Sequence, residues 1–437
     1  MRLISFIKET LTDAIKALTS KEGLKGLYGV SLYRNAVYLM LSQLAAALSG
    51  FVFWILAARL YEPADIGLAS AAISAASLLA FFSSLGLGYG LIRLLAGSGG
   101  KSRAMINSTF AVSSLACLIL SLLFLAGLNF WSPLLNFIRQ SPIFLVAFIL
   151  FALGATLHSL LGSTFVARRR TGFSLAQGLI SSLSKLVLVV VMAKFFTVFG
   201  IFASQGLGLA IAVIVTVFLF LPRVEPGYRP VPLFKKEAVN KIFHFSFTNY
   251  IADLLWMAPN YILPIMVLNF LGAEDNAYFY IAWAIGMFLN TIGISISASL
   301  LAESSYDETR LKQDTRRSIK LVLLSLIPVI ALMLLIGDKL LLLFGEGYSE
   351  RATHLLWVIA LASLPMSLNW IYFGVERVRK KIKNIILMTS FMAVATLGLS
   401  YLLLPRLGIL GGGIALLSSQ GVAAFIILLQ LHRKKIL

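Results

Sequence analysis

The chain alternates between long apolar stretches and short polar breaks along its whole length. About 20 consecutive apolar residues are enough to cross the hydrocarbon core of a bilayer as a helix. Stretches of that kind cover residues 35–58, 66–94, 106–128, 142–167, 172–194, 199–221, 243–270, 277–301, 319–337, 353–374, 384–404 and 406–430. The pattern therefore predicts an all-α polytopic membrane protein with about twelve transmembrane helices.

Basic residues fall almost entirely in alternate breaks. Of the 37 Lys and Arg, 30 lie in the terminal segments and the even-numbered loops. The exceptions are Arg59, Arg139, Lys194, Lys339, Arg351 and Arg406 in the odd loops, and Lys185 within a span. Because cationic loops stay in the cytoplasm during insertion, we predict a multi-pass protein of the plasma (inner) membrane with both termini cytoplasmic.

The longest charged break inside the chain, 222–242, divides it into two halves of six spans. We expect an N-lobe over 31–221, a cytoplasmic linker over 222–242 and a C-lobe over 243–437. A shift of about 211 residues lays the first span over the seventh, and six spans bring the chain back to its starting side. The halves are therefore predicted to be parallel repeats, an arrangement in which the substrate site lies between them.

Residues 1–30 precede the first span and place Ile4, Ile7 and Leu11 on one helical face, with charges elsewhere. This pattern predicts an amphipathic helix at the inner membrane surface.

Composition excludes several classes of function. With 59% hydrophobic residues and a mean hydropathy of +0.91, a soluble fold is set aside. The net charge of +19 is divided among many loops, whereas nucleic-acid binding needs one continuous basic face. The four histidines are not spaced as metal ligands would be. The external breaks are too short to form a catalytic domain. We therefore expect no nucleic-acid partner, no cofactor and no enzymatic activity.

Polar residues recur at helical spacing inside four spans. In the seventh span, steps of three and four place such residues along one stripe, and the first, second and eighth spans carry similar stripes. The stripes include Ser42 and Ser49; Ser70, Ser74, Ser77, Ser84 and Gly88; Ser246, Asn249, Asp253, Trp256 and Asn260; and Trp283, Gly286, Asn290, Gly293 and Ser297. We infer that these four helices line a water-accessible cavity. The alternative is that small and hydroxylated residues pack helices closely.

Charged residues inside spans are the sharpest candidates. A mid-span acid such as Asp253 costs about 2.5–3.5 kcal/mol, so it either lines the cavity or has a structural partner such as Lys185 or a buried hydrogen bond. Arg34 and Arg93 lie near cytoplasmic helix ends, where long side chains can reach the headgroups. The predicted cavity residues are Asn249, Asp253, Trp256, Asn260, Trp283, Asn290, Lys185, Arg93, Arg34 and Ser42.

Two short motifs resemble a known group of transporters. Ala57-Ala58-Arg59-Leu60-Tyr61 through Pro63-Ala64-Asp65-Ile66-Gly67 resembles the first external turn of the polysaccharide transporter branch of the multidrug/oligosaccharidyl-lipid/polysaccharide exporter superfamily. Leu343-Phe344-Gly345-Glu346-Gly347-Tyr348 is similar to that branch's turn before the tenth helix. The resemblance implies a flippase that moves polyprenyl-diphosphate-linked oligosaccharide from the cytoplasmic to the outer leaflet for surface polysaccharide or glycan synthesis. It also implies a cavity lined by helices one, two, seven and eight.

Other functions remain open at the level of sequence. Peptidoglycan-precursor flippases of this superfamily carry arginines in the first helix, whereas residues 35–57 contain no charge, which disfavours that subclass. Drug-exporting members often use an acid in the seventh helix for cation coupling, and Asp253 could do so with H⁺ or Na⁺. A membrane-embedded enzyme or scaffold of a glycan pathway is the alternative from another class. Expected partners are a lipid-linked oligosaccharide, membrane lipids and glycan-assembly proteins.

Overall fold

A computed structural model gives the fold and describes residues 31–95, 98, 101–306 and 308–433. It contains 12 helices long and apolar enough to cross a membrane, and the described residues form no strands. The predicted all-α polytopic architecture is confirmed. The amphipathic helix predicted over 1–30 lies outside the described residues.

The N-terminal half is built from seven main helical segments, one of which is short. They are α1 (Ser31–Leu60), α2 (Pro63–Ser83), α3 (Leu87–Leu94), α4 (Ser102–Ala126), α5 (Pro142–Ala167), α6 (Thr171–Met192) and α7 (Val198–Val215). Short turns at Leu128–Trp131, Pro133–Leu135 and Phe137–Gln140 join α4 to α5, while a π-helical turn (Thr216–Phe220) and Leu221–Val224 extend α7. The second span thus consists of α2 and α3 together.

The C-terminal half repeats this arrangement. Its helices are α8 (Lys236–Leu271), α9 (Ala273–Phe288), α10 (Asn290–Tyr306), α11 (Leu311–Leu342), α12 (Glu346–Val378), α13 (Ile382–Leu407) and α14 (Ile409–Arg433). A short 3₁₀ turn, Glu308–Arg310, precedes α11. The eighth span consists of α9 and α10. The helix of the ninth span is longer at both ends than the predicted 319–337. Its predicted start is too late because its first turns are charged.

Equivalent turns in the two lobes have the same backbone. After α5, the N–H of Arg169 donates to the carbonyl of Val166, and after α12 the N–H of Lys380 donates to that of Arg377, each at 3.0 Å. Both residues adopt the left-handed region, with φ of 54° and 56°. Each pair is offset by the 211 positions expected from sequence. The two six-helix lobes are therefore parallel repeats.

The first described helix begins and the last described helix ends at the same end of the bundle, because twelve spans separate them. We call this end the inner end; its cytoplasmic location is the prediction from charge. At the opposite, outer end, the lobes are joined. The Arg59 guanidinium donates to the carbonyls of Leu342 and Leu343 at 2.9 and 3.0 Å. Asn276 Nδ2 donates to the Gly67 carbonyl at 2.7 Å. The structure is thus closed at its outer end.

Candidate functional site

A cavity of about 450 Å³ lies between the lobes, where α2, α3 and α5 face α8. Its wall is rich in hydroxyl groups, and among the described residues none that line it is charged. The hydroxyl-bearing residues of the wall are Ser77, Ser84, Ser159, Ser163, Tyr89, Tyr250 and Tyr261. Four of these hydroxyls, those of Ser84, Ser163, Tyr89 and Tyr250, donate their protons to protein acceptors. Their oxygens can still accept hydrogen bonds from a neutral, hydroxyl-rich ligand.

The break between α2 and α3 shapes this cavity. Leu85 and Gly86 have positive φ values of 49° and 71°, and a Cβ on Gly86 would lie 2.6 Å from Cβ of Tyr250. Glycine therefore lets α8 approach the break closely. Tyr250 donates to the carbonyl of Phe82 at 2.9 Å, and its ring stacks near that of Phe81, with centroids 6.0 Å apart. The break thus brings aromatic rings to the wall.

Asp253, the predicted mid-span acid, lies at the contact between the lobes. Its carboxylate accepts a hydrogen bond from the hydroxyl of Tyr89 on α3, and the positive charge of Arg377 on α12 acts on it. Tyr89 in turn lines the cavity. Of the two structural roles considered from sequence, a hydrogen bond describes Asp253, and among the described residues no ion pair joins it to Lys185. The acid is adjacent to the cavity through Tyr89.

A second space between the lobes is apolar. It has a volume of about 630 Å³ and lies between α1, the α9–α10 break and α11. Leu48 of α1 and Phe288 at the end of α9 are more than half exposed along it. Thr291 is the polar residue of its lining. In a bilayer, this crevice offers acyl chains a surface between the two lobes.

Three predicted cavity residues lie together inside the C-lobe. Trp283 Nε1 donates to Asn260 Oδ1 at 3.2 Å, and the Trp256 ring lies 4.8 Å from that of Trp370 on α12. All three line a small space closed by α12, α13 and α14. Asn290 is buried as well, and its side-chain oxygen has no hydrogen-bond partner among the described residues.

Other predicted residues contact neighbouring helices within the N-lobe. Ser42 Oγ would lie 3.4 Å from a Cβ on Gly178 of α6. Lys185 Nζ lies 5.5 Å from the ring centroid of Phe53 on α1, and the Lys185 backbone touches Gly208 of α7. The structure therefore does not bring these two residues together with Asp253.

Arg93 lies on α3 one turn beyond Tyr89, toward the inner end, and is exposed. It stands where the cavity wall meets the inner end of the bundle. The side chains of Arg34 and Asn249, also predicted, fall outside the described part of the chain.

Sequence reasoning missed the fourth span and the tyrosines of the cavity. It considered only helices whose polar stripes recur in both halves. Ser159 and Ser163 on α5 line the cavity, whereas no residue of α12, the equivalent helix of the C-lobe, lines it. The signal available was the step of four between these serines, and the glycine-rich run at 86–90 beside Tyr89. Neither signal identifies the opposing helix. Among the described residues, no three His, Cys, Asp or Glu side chains are grouped to hold a metal ion.

The comparisons with known proteins agree with this arrangement. A family model described as polysaccharide biosynthesis protein matches residues 32–301, more than half of the chain. No curated protein sequence matches.

Solved structures of transporters superimpose on nearly the whole chain. An inward-facing multidrug resistance MATE family transporter of the MOP superfamily aligns with a TM-score of 0.70 at 15% identity, covering 92% of this chain and 98% of that one. The lipid II flippase MurJ, in an inward closed conformation, aligns with a TM-score of 0.71 at 12% identity, covering 91% and 87%. A MOP superfamily transporter from Pyrococcus furiosus aligns with a TM-score of 0.58 at 16% identity, covering 93% and 95%. At these identities the likeness concerns the fold.

Proposed function

The chain belongs to the polysaccharide biosynthesis protein family, and on that premise we propose that it is a flippase for polyprenyl-diphosphate-linked oligosaccharide. It has the fold of a MOP superfamily transporter, as the sequence motifs at the first external turn and before the tenth helix predicted. In this proposal the glycolipid moves from the cytoplasmic to the outer leaflet by alternating access, for surface polysaccharide or glycan synthesis.

The observation that carries the proposal is the chemical difference between the two spaces that the lobes enclose. The neutral cavity presents hydroxyl groups and the rings of Phe81 and Tyr250, which suit sugar hydroxyls and sugar faces. The crevice beside α1 presents an apolar surface, which suits a polyprenyl chain. A glycolipid has both kinds of surface, whereas a small drug cation needs no hydroxyl-rich wall.

The diphosphate requires a cation, and Arg93 is the candidate that the arrangement favours. It follows the cavity residue Tyr89 by one helical turn on α3, and a guanidinium binds phosphate oxygens in a bidentate manner. Lys185 remains a second candidate. Its Nζ lies over the Phe53 ring, and among the described residues it forms no ion pair with a carboxylate. Arg34 and Asn249 complete the proposed site. Trp256, Asn260 and Trp283 lie within the C-lobe, as does the buried Asn290, and Ser42 faces α6; these residues are proposed to support the site without contacting the substrate.

The proposal places the protein in the plasma membrane with its inner end cytoplasmic. Arg59 and Asn276 join the lobes at the outer end, and Tyr89 and Asp253 join them nearer the inner end; in the proposed transport cycle the inner contact opens first, to admit substrate from the cytoplasmic side. Membrane lipids and glycan-assembly proteins are the further proposed partners, and the protein acts as a transporter without chemical catalysis.

The decisive experiment is transport by the purified protein alone. Proteoliposomes would receive a panel of fluorescent polyprenyl-diphosphate oligosaccharides that differ in their first sugar, and a membrane-impermeant quencher would report how much label has changed leaflet. We expect protein-dependent movement of at least one sugar-bearing lipid. A Ser159→Trp variant should abolish it, because the indole would occupy the cavity.

A matched control is Leu150→Trp, which adds the same group to the exposed face of the same helix and should leave transport unchanged. Movement of no lipid-linked sugar, or equal transport by Ser159→Trp and wild type, would refute the proposal. A requirement for an added enzyme would instead favour a scaffold or enzyme of the glycan pathway.

The second candidate function is a cation-coupled multidrug exporter. The specific observation favouring it is the interlobe hydrogen bond between Tyr89 and Asp253, because an acid between lobes can link proton or sodium binding to their movement. Transport of a fluorescent drug cation in the same proteoliposomes, without movement of lipid-linked sugar, would support it.

A further inference from the structure

The linker between the lobes is bonded to the N-lobe. Glu225 is 8% exposed and pairs with Arg168 at 2.6 Å, while Ser102 of α4 donates to the same carboxylate. Farther along, Asn107 Nδ2 donates to the carbonyl of Arg229 at 2.9 Å. The linker N–H of Lys235 then donates to Ser108 Oγ at 3.0 Å. These bonds hold the linker along the inner end of α4.

The bonded linker completes an apolar groove on the surface of the N-lobe. The groove has a volume of about 530 Å³ and runs between α4, α5 and the π-helical turn after α7, with linker residues at its inner end. Its apolar walls include Leu115, Leu118, Leu157, Val217, Pro230 and Pro232. Tyr228 is buried beside it, and that burial raises the pKa of Tyr228 to about 12, so the phenol stays neutral.

The length of the groove matches one leaflet of a bilayer. Its α4 wall covers residues 107–118, which at about 1.5 Å per residue is roughly 16 Å. Half of a hydrocarbon core is about 15 Å thick. Leu115 and Leu118 are 59% and 43% exposed, so this wall faces the lipid phase. An acyl chain that lies in the groove would therefore end near the middle of the membrane.

Three cations surround the inner mouth of the groove. Arg103 of α4 places its guanidinium over the linker, where a Cβ on Gly227 would lie 3.0 Å from Nη2. Arg229 stands between the lining residues Tyr228 and Pro230, and Lys235 follows at the Ser108 bond. All three side chains are exposed, and none forms an ion pair with a carboxylate in the described ranges. The nearby acid Glu225 is occupied by Arg168.

We propose that this groove is a binding site for an anionic phospholipid, with one acyl chain along α4 and the phosphate held by Arg103, Arg229 and Lys235. The lipid would join α4 to the linker and so brace the segment that connects the two lobes. This inference concerns a resident lipid of the inner end and holds whichever substrate the protein transports.

Native mass spectrometry of the detergent-purified protein would test the site. Phosphatidylglycerol and phosphatidylcholine with identical acyl chains would be titrated separately. We expect tighter retention of phosphatidylglycerol, since the headgroups differ in net charge. Replacing Arg103, Arg229 and Lys235 with Gln removes the cations but keeps the linker's backbone bonds, and should weaken phosphatidylglycerol binding by about fivefold per cation.

A matched control removes three cations from another part of the inner end: Lys312→Gln, Arg316→Gln and Lys320→Gln on α11. It should retain wild-type binding. A Ser114→Trp variant fills the groove and keeps the cations, and it should also release phosphatidylglycerol. If the Ser114→Trp protein is unstable, Leu118→Trp at a more exposed position of the groove serves the same purpose.

Three results would overturn the proposal. They are equal retention of the two lipids, an equal loss in the α11 control, and unchanged phosphatidylglycerol binding in the groove-filled variants. Inorganic phosphate is a third probe. If it displaces phosphatidylglycerol at matched concentrations, the cations form a site for free ions and the apolar groove has no part in it.

Discussion

At the scale of single residues, the Tyr89–Asp253 pair is the most informative contact. It joins α3 of one lobe to α8 of the other beside the neutral cavity. A lone acid in a span was expected from sequence to have a function or a partner. The structure supplies a partner from the opposite lobe, so a change in the charge of Asp253 would act directly on the contact between lobes.

Replacing Asp253 by Asn tests this role. The amide oxygen can still accept from Tyr89, so the protein should fold with a thermal stability close to that of wild type. If Asp253 couples transport to an ion, movement of substrate should no longer respond to an imposed proton or sodium gradient. Tyr250→Phe is the control, because it removes the interlobe bond to Phe82 and spares the carboxylate. An Asp253→Asn protein with the wild-type gradient response would exclude coupling.

Trp283 and Asn260 lead to a different expectation because they meet inside the C-lobe. Trp283→Phe removes the indole N–H and leaves the half-buried amide oxygen of Asn260 without its donor, which costs about 1 kcal/mol. We expect a lower free energy of unfolding but unchanged transport per folded molecule. Thermal unfolding together with the proteoliposome assay separates the two effects. A specific loss of transport at wild-type stability would return Trp283 to the substrate path.

At the scale of helices, the crossing of α2 and α9 determines how closely the lobes meet at the outer end. A Cβ on Gly67 would lie 1.6 Å from the carbonyl oxygen of Ala273, and Asn276 donates to the Gly67 carbonyl. No larger residue fits without separating the helices. Glycine is therefore required here for contact between backbones, although it weakens a helix interior.

Gly67→Ala should consequently disfavour the outer-closed state by roughly 1–3 kcal/mol, the usual cost of overpacking. Spin labels at the exposed outer residues Glu62 and Glu346, in a background without Cys117, would report the distance between the lobes by double electron–electron resonance. We expect a longer distance in the variant. Gly154→Ala is the control, since no atom lies within 4 Å of its added Cβ. Identical distance distributions for the two variants would contradict this role of Gly67.

At the scale of the whole molecule, the orientation in the membrane rests on the uneven distribution of Lys and Arg. Lys381 follows α12 at the inner end and Glu346 begins that helix at the outer end, and both are exposed. In a background lacking the buried Cys117, a cysteine at 346 should react with an impermeant thiol reagent in intact cells. One at 381 should react only after the cells are opened. Reversed labelling would invert the predicted direction of transport.

Sequence alone determined the architecture of this protein. Apolar length fixes the number of spans because backbone groups in lipid must bond within each helix, and the observed spans follow. The repeat was predictable from the span pattern and the shift of about 211 residues, which the turns at Arg169 and Lys380 reproduce. Asp253 was identifiable because an acid in lipid is costly wherever the helix packs.

The tertiary structure decided which side of each helix faces which neighbour. A small or hydroxylated residue is equally compatible with a cavity and with a helix contact, so sequence could not assign the stripe of α1 to either. In the structure Ser49 of this stripe donates to Ser182 of α6, which is a helix contact. In the eighth span, Ser297 likewise donates to the carbonyl of Trp370. The cavity instead combines serines of α2 and α5 with tyrosines of α3 and α8. That combination depends on contacts between residues distant in sequence, and helical periodicity carries information only about residues on the same helix.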